Sequence, residues 1–389
     1  MKFAFPARAW GEILLVVSRR TRGVLPLLFV LGTAAAFFAF HGQLLSTRLV
    51  PVASLVVFVW LFAATVTGAL RVVGHADELA VLLGEPSGTL ILTLSVGSIE
   101  IMIIGAVMLT GDANPTLARN TMFSVVMIMM NGLVGLALLL GGLRYREQEY
   151  NLRGVSAYLG VIVVLAVVGL ILPNYTITTL GPTLSRGQQV FLISMCLSLY
   201  AVFLLLQTTR HRSDFAEVSP LAGPVADSVQ AVEQGRSRAT AVLRHTGWMM
   251  LLLVATVLLA EDLAVNLNTA IEVFGLPEAL GALLIAVLVL VPESVAAIHA
   301  ARANQIQRSM NLLFGSVLAT LAMTIPAVII VAMAGHTTLE LGLPPEGQVM
   351  LALTLFAAAL TFGSGRTNVL QGVVHLSLFL AYLLLIFIP

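Results

Sequence analysis

The chain has 389 residues, of which 59% are hydrophobic and only 10% charged, and its formal net charge at pH 7 is +1. A soluble domain of this size cannot bury so much apolar surface, so the composition excludes a soluble fold and predicts an all-α polytopic membrane protein. The small net charge gives no indication of nucleic-acid binding. The single cysteine, Cys196, cannot form an internal disulfide.

Eleven apolar runs are long enough to cross a hydrocarbon core about 30 Å thick. The run at 247–261 is the shortest, so the prediction of a transmembrane helix is weakest there. In chain order the predicted spans are 24–41, 51–70, 88–110, 121–142, 155–173, 188–207, 247–261, 279–300, 310–334, 347–363 and 369–388.

Basic residues are distributed unevenly between the two sides that these spans define. With the N-terminus in the cytoplasm, all but three of the 20 lysines and arginines lie inside; the exceptions are Arg48, Arg119 and Arg186. This bias predicts a membrane protein with its N-terminus in the cytoplasm and its C-terminus on the opposite side of the membrane. The segment GSGRTN at 363–368 is then predicted to be a tight cytoplasmic turn.

One sizeable polar segment, at 209–246, divides the chain and is predicted to be a flexible cytoplasmic linker. A cytoplasmic N-terminus (1–23) and a leading helix (24–50) precede a first group of five helices (51–208), and a second group of five follows (247–389). Because five is odd, the second group crosses the membrane in the opposite direction, which makes the two groups an inverted repeat. Such repeats commonly place a substrate site at the bilayer midplane.

Two apolar runs of the same form each end on a glutamate: GTLILTLSVGSIE ends at Glu100 and GALLIAVLVLVPE ends at Glu293. Each glutamate follows the first glycine by 12 positions, or roughly 18 Å along a helix, which places it near the midplane. A carboxylate is costly there unless it is paired, hydrated or protonated. We take these two as the only acidic residues deep inside the apolar spans.

Burial favours the neutral form of a carboxyl group, whereas a bound cation favours the ionised form, so protons and cations compete for the same oxygens. This competition is the physical basis of antiport, and it predicts that Glu100 and Glu293 bind a metal cation or protons alternately. The structural alternative is a hydrogen-bonded pair that locks the two halves of the chain together.

Hydroxyl and amide side chains accompany the two glutamates. Their oxygens suit hard cations such as Ca²⁺ or Na⁺, although serine and threonine are also routine in helix packing. Three of them follow each other at intervals of four residues in the ninth span. The predicted ligands are Ser98, Asn131, Ser294, Ser316 and Thr320, with Thr324 one helical turn beyond.

Further polar residues flank the glutamate helices and are predicted to guide cations or relay protons. Glu78 and Glu85 belong to a cytoplasmic cluster, and Glu278 lies near the outer entry of the second half. His299 would hand protons toward the cytoplasm. The alternatives are solvated loop carboxylates and a satisfied helix-end histidine, an interpretation that also applies to His375.

Metalloprotease (HExxH), P-loop (GxxxxGK[ST]) and GxSxG motifs do not occur in the sequence. A transporter of this composition is therefore driven by an ion gradient, with no cofactor besides the transported Ca²⁺, Na⁺ or K⁺ and H⁺. Two other functions stay open at this point. They are a membrane-embedded hydrolase that uses the carboxylate pair and a passive cation channel.

Three stretches resemble a known family: HADELAVLLGEPSGTLILTLSVGSIEI, VLVLVPESVAAIHAARANQIQRSMNLLFGSVLATLAMTIPAV and GRTNVLQGVVHLSLFLAYLLLIF. They are similar to the bacterial ChaA antiporters, in the calcium/proton exchanger (CAX) branch of the calcium/cation antiporter superfamily. The resemblance implies eleven helices, arranged as one leading helix and two inverted five-helix repeats. It also implies proton-coupled export of Ca²⁺, or of Na⁺ and K⁺, with Glu100 and Glu293 in the two central acidic positions.

The chain departs from the wider family at the residues around these glutamates. The family pattern Gly-Asn-Ala-x-Glu is replaced by VGSIE, ending at Glu100, and by VLVPE, ending at Glu293. In the ninth span Ala319 occupies the place of a glutamine that usually follows Gly315 and Ser316. Fewer neutral oxygens remain for a calcium ion that takes six to eight ligands, which leaves room for monovalent cations.

Overall fold

The computed structural model describes residues 24–44, 51–83, 97–98, 100–102, 104–105, 115–179, 181–215, 235–275 and 277–388. These residues are mostly helical. The α-helices are α1 (Val24–Leu44), α2 (Pro51–Leu83), α3 (Leu117–Met127), α4 (Val134–Tyr145), α5 (Leu152–Ala166), α6 (Arg186–Leu205), α7 (Gly235–Phe274), α8 (Glu278–Arg302), α9 (Ile306–Ala319), α10 (Ile325–Gly335), α11 (Pro345–Thr361) and α12 (Val369–Phe387).

Short turns of other helical types extend or join some of these helices. Two π-turns carry residues that the sequence predicts as ligands: the Asn131 π-turn (Ile128–Leu133) joins α3 to α4, and the Thr320 π-turn (Thr320–Thr324) joins α9 to α10. π-turns are rare and are frequent at functional sites. The other short elements are π-turns at Val167–Ile171 and Leu206–Arg210 and 3₁₀ turns at Leu172–Tyr175 and Arg212–Phe215.

Seven helical runs among the described residues are long and apolar enough to cross a membrane, and a bent pair, Ala279–Val291 with Glu293–Arg302, would make an eighth. Two shorter apolar helices are Val24–Phe40 and Pro345–Thr361. The chain is therefore an integral membrane protein. The predicted number of eleven spans stays a prediction, because the span at 88–110 lies largely outside the described residues.

Two helices extend far beyond their predicted ends. Helix α2 continues to Leu83, and α7 begins at Gly235 and continues to Phe274. These helices pack along each other, and His75 Nδ1 lies 3.1 Å from His245 Nδ1 across the contact. Tertiary packing thus keeps polar residues helical where the apolar pattern alone predicts a loop.

The predicted linker at 209–246 is consequently shorter than the sequence indicates. A 3₁₀ turn, Arg212–Phe215, lies at its start, and α7 already covers its last part from Gly235. Residues 216–234 of the predicted linker, like the predicted cytoplasmic segment 1–23, lie outside the described residues.

Buried apolar side chains form two clusters, and α8 contributes to both. The smaller cluster combines α1, α2 and α7 with Ile285, Leu288 and Val289 of α8. The larger one combines α3–α6 and α9–α12 with other residues of α8, among them Leu290 and Ala297. Helix α8, which carries Glu293, therefore connects the two packed parts of the molecule.

Helices α4 and α12 approach each other through facing glycines. A Cβ on Gly372 would lie 2.6 Å from the Leu139 nitrogen and 2.9 Å from the Gly135 carbonyl oxygen. A Cβ on Gly135 would lie 2.8 Å from the Leu376 nitrogen. Small residues allow this backbone contact, as is common between membrane helices.

Two short strands add a small ladder to the predicted helical fold, and one of them lies within the segment predicted as a turn at 363–368. Strand β1 (Glu147–Glu149) pairs antiparallel with β2 (Arg366–Asn368), which satisfies backbone groups that a turn would leave to solvent. Arg366 also pairs with Glu149 at 2.9 Å, but the pair is exposed and contributes at most about 1 kcal/mol. The ladder brings the loops after α4 and α11 to the same end of the molecule.

Candidate cation and proton site

Helix α8 bends immediately before its glutamate. The helix axis turns by 60° between the segments Ala279–Val291 and Glu293–Arg302. Pro292 has no backbone N–H to donate to the carbonyl of Leu288, and proline in a helix interior clashes with the carbonyl four residues earlier. The sequence pattern did not predict this bend, although a proline inside an apolar run was a signal for it.

Glu100 lies in a helical stretch and is 4% exposed. The hydroxyl of Thr320 donates a hydrogen bond to Glu100 Oε2 at 2.7 Å. The Thr324 hydroxyl, at the other end of the same π-turn, lies near the Glu100 carboxylate. Among the described residues it has no hydrogen-bond partner. The structure thus brings a residue of the first half of the chain to a π-turn of the second half.

Glu293 is half-buried as a residue, but both of its carboxylate oxygens are buried. Within the described residues neither oxygen has a hydrogen-bond partner, and neither does Glu100 Oε1. The two carboxyl groups are close enough to interact electrostatically. Three unpaired carboxylate oxygens in a dry environment are costly unless they take up protons or a cation.

The other predicted ligands occupy different environments. Ser294 donates its hydroxyl to the carbonyl of Leu290 at 2.6 Å, so its proton is already used within α8. Ser316 is half-buried on α9, one turn before Thr320, and Ser98 is half-buried beside Glu100. The role of each in cation binding stays a prediction.

Asn131 is fully buried, but its hydrogen bonds do not reach the glutamates. Its Nδ2 donates to Thr354 Oγ1 at 2.7 Å, and its Oδ1 lies 3.2 Å from His375 Nδ1. His375 Nε2 lies 3.1 Å from Thr361 Oγ1. The sequence pattern did not identify this network, although polar residues inside two apolar spans, Thr354 and His375, were a signal for it.

The predicted access residues lie apart from the carboxylate pair where the structure describes them. Glu78 is exposed on α2, and His299 is exposed near the end of α8. Glu85 lies outside the described residues, as does the side chain of Glu278, the first residue of α8.

Asp262 corrects the prediction that Glu100 and Glu293 are the only deep acidic residues. It is 8% exposed and lies within the apolar run Ala239–Leu267. The sequence pattern ended the corresponding span at 261, whereas α7 continues through this residue to Phe274. Asp262 is therefore a third buried acid in the described part of the chain.

Comparisons with known proteins identify the family of this chain. The profile of the family described as sodium/calcium exchanger protein matches residues 53–209 and 245–388. The ionic transporter y4hA of Sinorhizobium fredii is 42% identical over 336 residues, which cover 86% of this chain and 89% of that protein. The sodium-potassium/proton antiporter ChaA of Escherichia coli is 40% identical over 321 residues, covering 82% of this chain and 86% of ChaA.

A solved structure is also similar in fold. The crystal structure of the H⁺/Ca²⁺ exchanger CAX superposes with a TM-score of 0.67 at 17% identity, covering 93% of this chain and 87% of the exchanger. At this level of identity the likeness concerns the fold alone.

Proposed function

Because the chain belongs to the sodium/calcium exchanger protein family, we propose that it exports cytoplasmic Ca²⁺, Na⁺ or K⁺ in exchange for protons. The observation that carries this proposal is the buried pair of Glu100 and Glu293, which has three carboxylate oxygens without a hydrogen-bond partner among the described residues. The relatives of this family include a sodium-potassium/proton antiporter, which makes the chain a transporter and not an enzyme. A membrane-embedded hydrolase is therefore no longer considered.

Charge balance at the pair supplies the coupling. Two ionised carboxylates in a medium of low dielectric need about two positive charges, which one Ca²⁺ or two protons provide. A single Na⁺ or K⁺ would leave one carboxyl group protonated. Protonation from the outside releases the cation, and deprotonation on the cytoplasmic side prepares the site for the next one, while the two repeats move to alternate access.

The direction of exchange rests on the proposed topology. We place the chain in a bacterial inner membrane with its N-terminus in the cytoplasm and its C-terminus in the periplasm, because this orientation puts most basic residues inside. The pairing of β1 with β2 places the two strands' loops at the same end of the molecule, which this topology requires.

The proposal is tested with purified protein in liposomes that carry an acidic interior. Addition of Ca²⁺, Na⁺ or K⁺ outside is expected to dissipate the pH gradient when the cation is a substrate, while a cation that is not transported leaves the gradient intact. A passive cation channel would instead carry current without any pH gradient. Such a current, or an unchanged pH gradient with every cation tested, would reject the exchange mechanism.

We expect Thr320→Val to raise the cation concentration at half-maximal exchange about tenfold, because a hydrogen bond to a charged group contributes about 1.5–3 kcal/mol. Valine has nearly the shape of threonine but cannot donate to Glu100. Thr320→Ser keeps the hydroxyl and serves as the matched control, with near-normal exchange. The same liposome assay measures both variants, and equal behaviour of the two would contradict a role for the hydroxyl.

A further inference from the structure

A chain of hydrogen bonds lies on the side of the Asn131 π-turn that faces α11 and α12. Its side chains are buried: Asn131, Thr354 and His375 are 0% exposed and Thr361 is 5% exposed. Thr354 and Thr361 belong to α11, and His375 belongs to α12. The chain therefore ties the π-turn to the last two helices.

The partners fix the direction of every hydrogen bond in this chain. The Thr354 hydroxyl has two acceptors for its single proton, the Met350 carbonyl at 2.8 Å and Met127 Sδ at 3.7 Å, so toward Asn131 it accepts, at 2.7 Å. The Asn131 amide nitrogen therefore faces Thr354, and its oxygen faces His375 Nδ1 at 3.2 Å. An amide oxygen accepts and cannot donate, so the ring proton of His375 is on Nδ1.

The second ring nitrogen of His375 has a partner that agrees with a proton on Nδ1. His375 Nε2 lies 3.1 Å from the Thr361 hydroxyl, which donates to it when the imidazole is neutral. One ring proton on Nδ1 would thus satisfy both nitrogens, so the hydrogen-bond partners favour the Nδ1–H tautomer of His375.

The Asn131 π-turn also packs against α8 and α9. Helix α8 carries Glu293, and α9 leads directly into the Thr320 π-turn whose first residue binds Glu100. The same irregular turn therefore contacts both the helices of the hydrogen-bonded chain and the helices that lead to the carboxylate pair.

We propose that His375, as the Nδ1–H tautomer, is a positioning residue that orients Asn131 and holds its π-turn against the helices of the carboxylate site. The inference deepens the proposed function and rests on it for its transport consequences. His375 does not itself bind the cation or carry the transported proton.

The transport test compares two substitutions of nearly equal shape. In His375→Asn the amide nitrogen can take the place of Nδ1 and donate to Asn131, whereas His375→Leu offers no donor. We expect His375→Leu to raise the KM for the cation about tenfold with a smaller change in maximal rate, as for loss of one buried hydrogen bond. His375→Asn should stay within about twofold of the unchanged protein.

Tyr382→Phe provides a control for a purely structural role. It removes the 2.7 Å hydrogen bond between Tyr382 and Ser124, which also joins α12 to the α3–α4 run but involves no residue of the π-turn. Its KM should be unchanged. If His375→Asn is impaired as much as His375→Leu, or if His375→Leu resembles Tyr382→Phe, the proposal is wrong.

A spectroscopic measurement on the unchanged protein decides the tautomer without any transport assay. ¹⁵N NMR of histidine-labelled protein in bilayers, with the His375 signals assigned from their loss in His375→Asn, is expected to give the chemical shifts of a protonated Nδ1 and an unprotonated Nε2. Signals of the opposite tautomer would overturn the inference even if exchange is observed. Absence of exchange with the expected tautomer would instead reject the proposed function.

Discussion

Replacement of Glu100 or Glu293 by glutamine is expected to reduce cation/proton exchange by at least about 100-fold while the protein still folds. Glutamine has the shape of glutamate but neither ionises nor releases a proton, so the competition between proton and cation is lost. Its carbonyl oxygen can still accept the hydrogen bond that Thr320 donates to Glu100 at 2.7 Å. Neither glutamate forms a salt bridge with a described basic residue, so removal of its buried charge should leave the Tm unchanged or slightly raised.

The measurement is exchange in liposomes, together with the apparent Tm of each purified variant. Glu147→Gln, at an exposed position of β1, is the matched control and should exchange normally. Full exchange by either glutamine variant would remove that glutamate from the mechanism. A variant with no exchange and a lowered Tm would instead indicate that the two glutamates form a structural hydrogen-bonded pair, the alternative named in the sequence analysis.

Substitution of Gly372 by alanine is expected to destabilise the protein by about 1–3 kcal/mol, the usual cost of overpacking a well-packed contact. The added methyl carbon would lie 2.6 Å from the Leu139 nitrogen and 2.9 Å from the Gly135 oxygen. Both are backbone atoms, so no side chain can turn away and α4 must separate from α12. Because α4 continues directly from the Asn131 π-turn, exchange should decline as well.

Gly160→Ala is the matched control, because a Cβ at Gly160 meets no atom within 4 Å. Both glycines lie inside helices, where alanine is favoured by about 1 kcal/mol. The difference between the two apparent Tm values therefore isolates the contact between α4 and α12. Equal Tm values would mean that the helices do not approach as closely as the structure indicates.

Features that depend on local chemistry could be predicted well from the sequence. The apolar runs that define most of the helices and the two Glu-bearing stretches follow from hydropathy and spacing. The errors concern helix ends and irregular turns. Helix α2 passes its predicted end by 13 residues, from 70 to Leu83, because packing against α7 supports a polar helical extension that hydropathy does not register.

The candidate site was predictable in its residue types but not in its pairings. Thr320 and Asn131 both appeared as polar residues in apolar spans. In the structure Thr320 donates to Glu100, 220 positions earlier in the chain, whereas Asn131 pairs with Thr354 and His375. Nothing in the spacing distinguishes these outcomes, because each depends on how two distant helices are rotated toward each other.

The sequence by itself determined that this is a polytopic membrane protein with one glutamate deep in an apolar run of each half, because bilayer thickness and the cost of a charge in hydrocarbon act on the linear order of residues. Only the tertiary structure decided which oxygens of those glutamates are paired and that His375 lies within hydrogen-bond distance of Asn131. It also decided that Gly135 faces Gly372. These features arise from contacts between helices far apart in the chain, where geometry and not composition selects the partner.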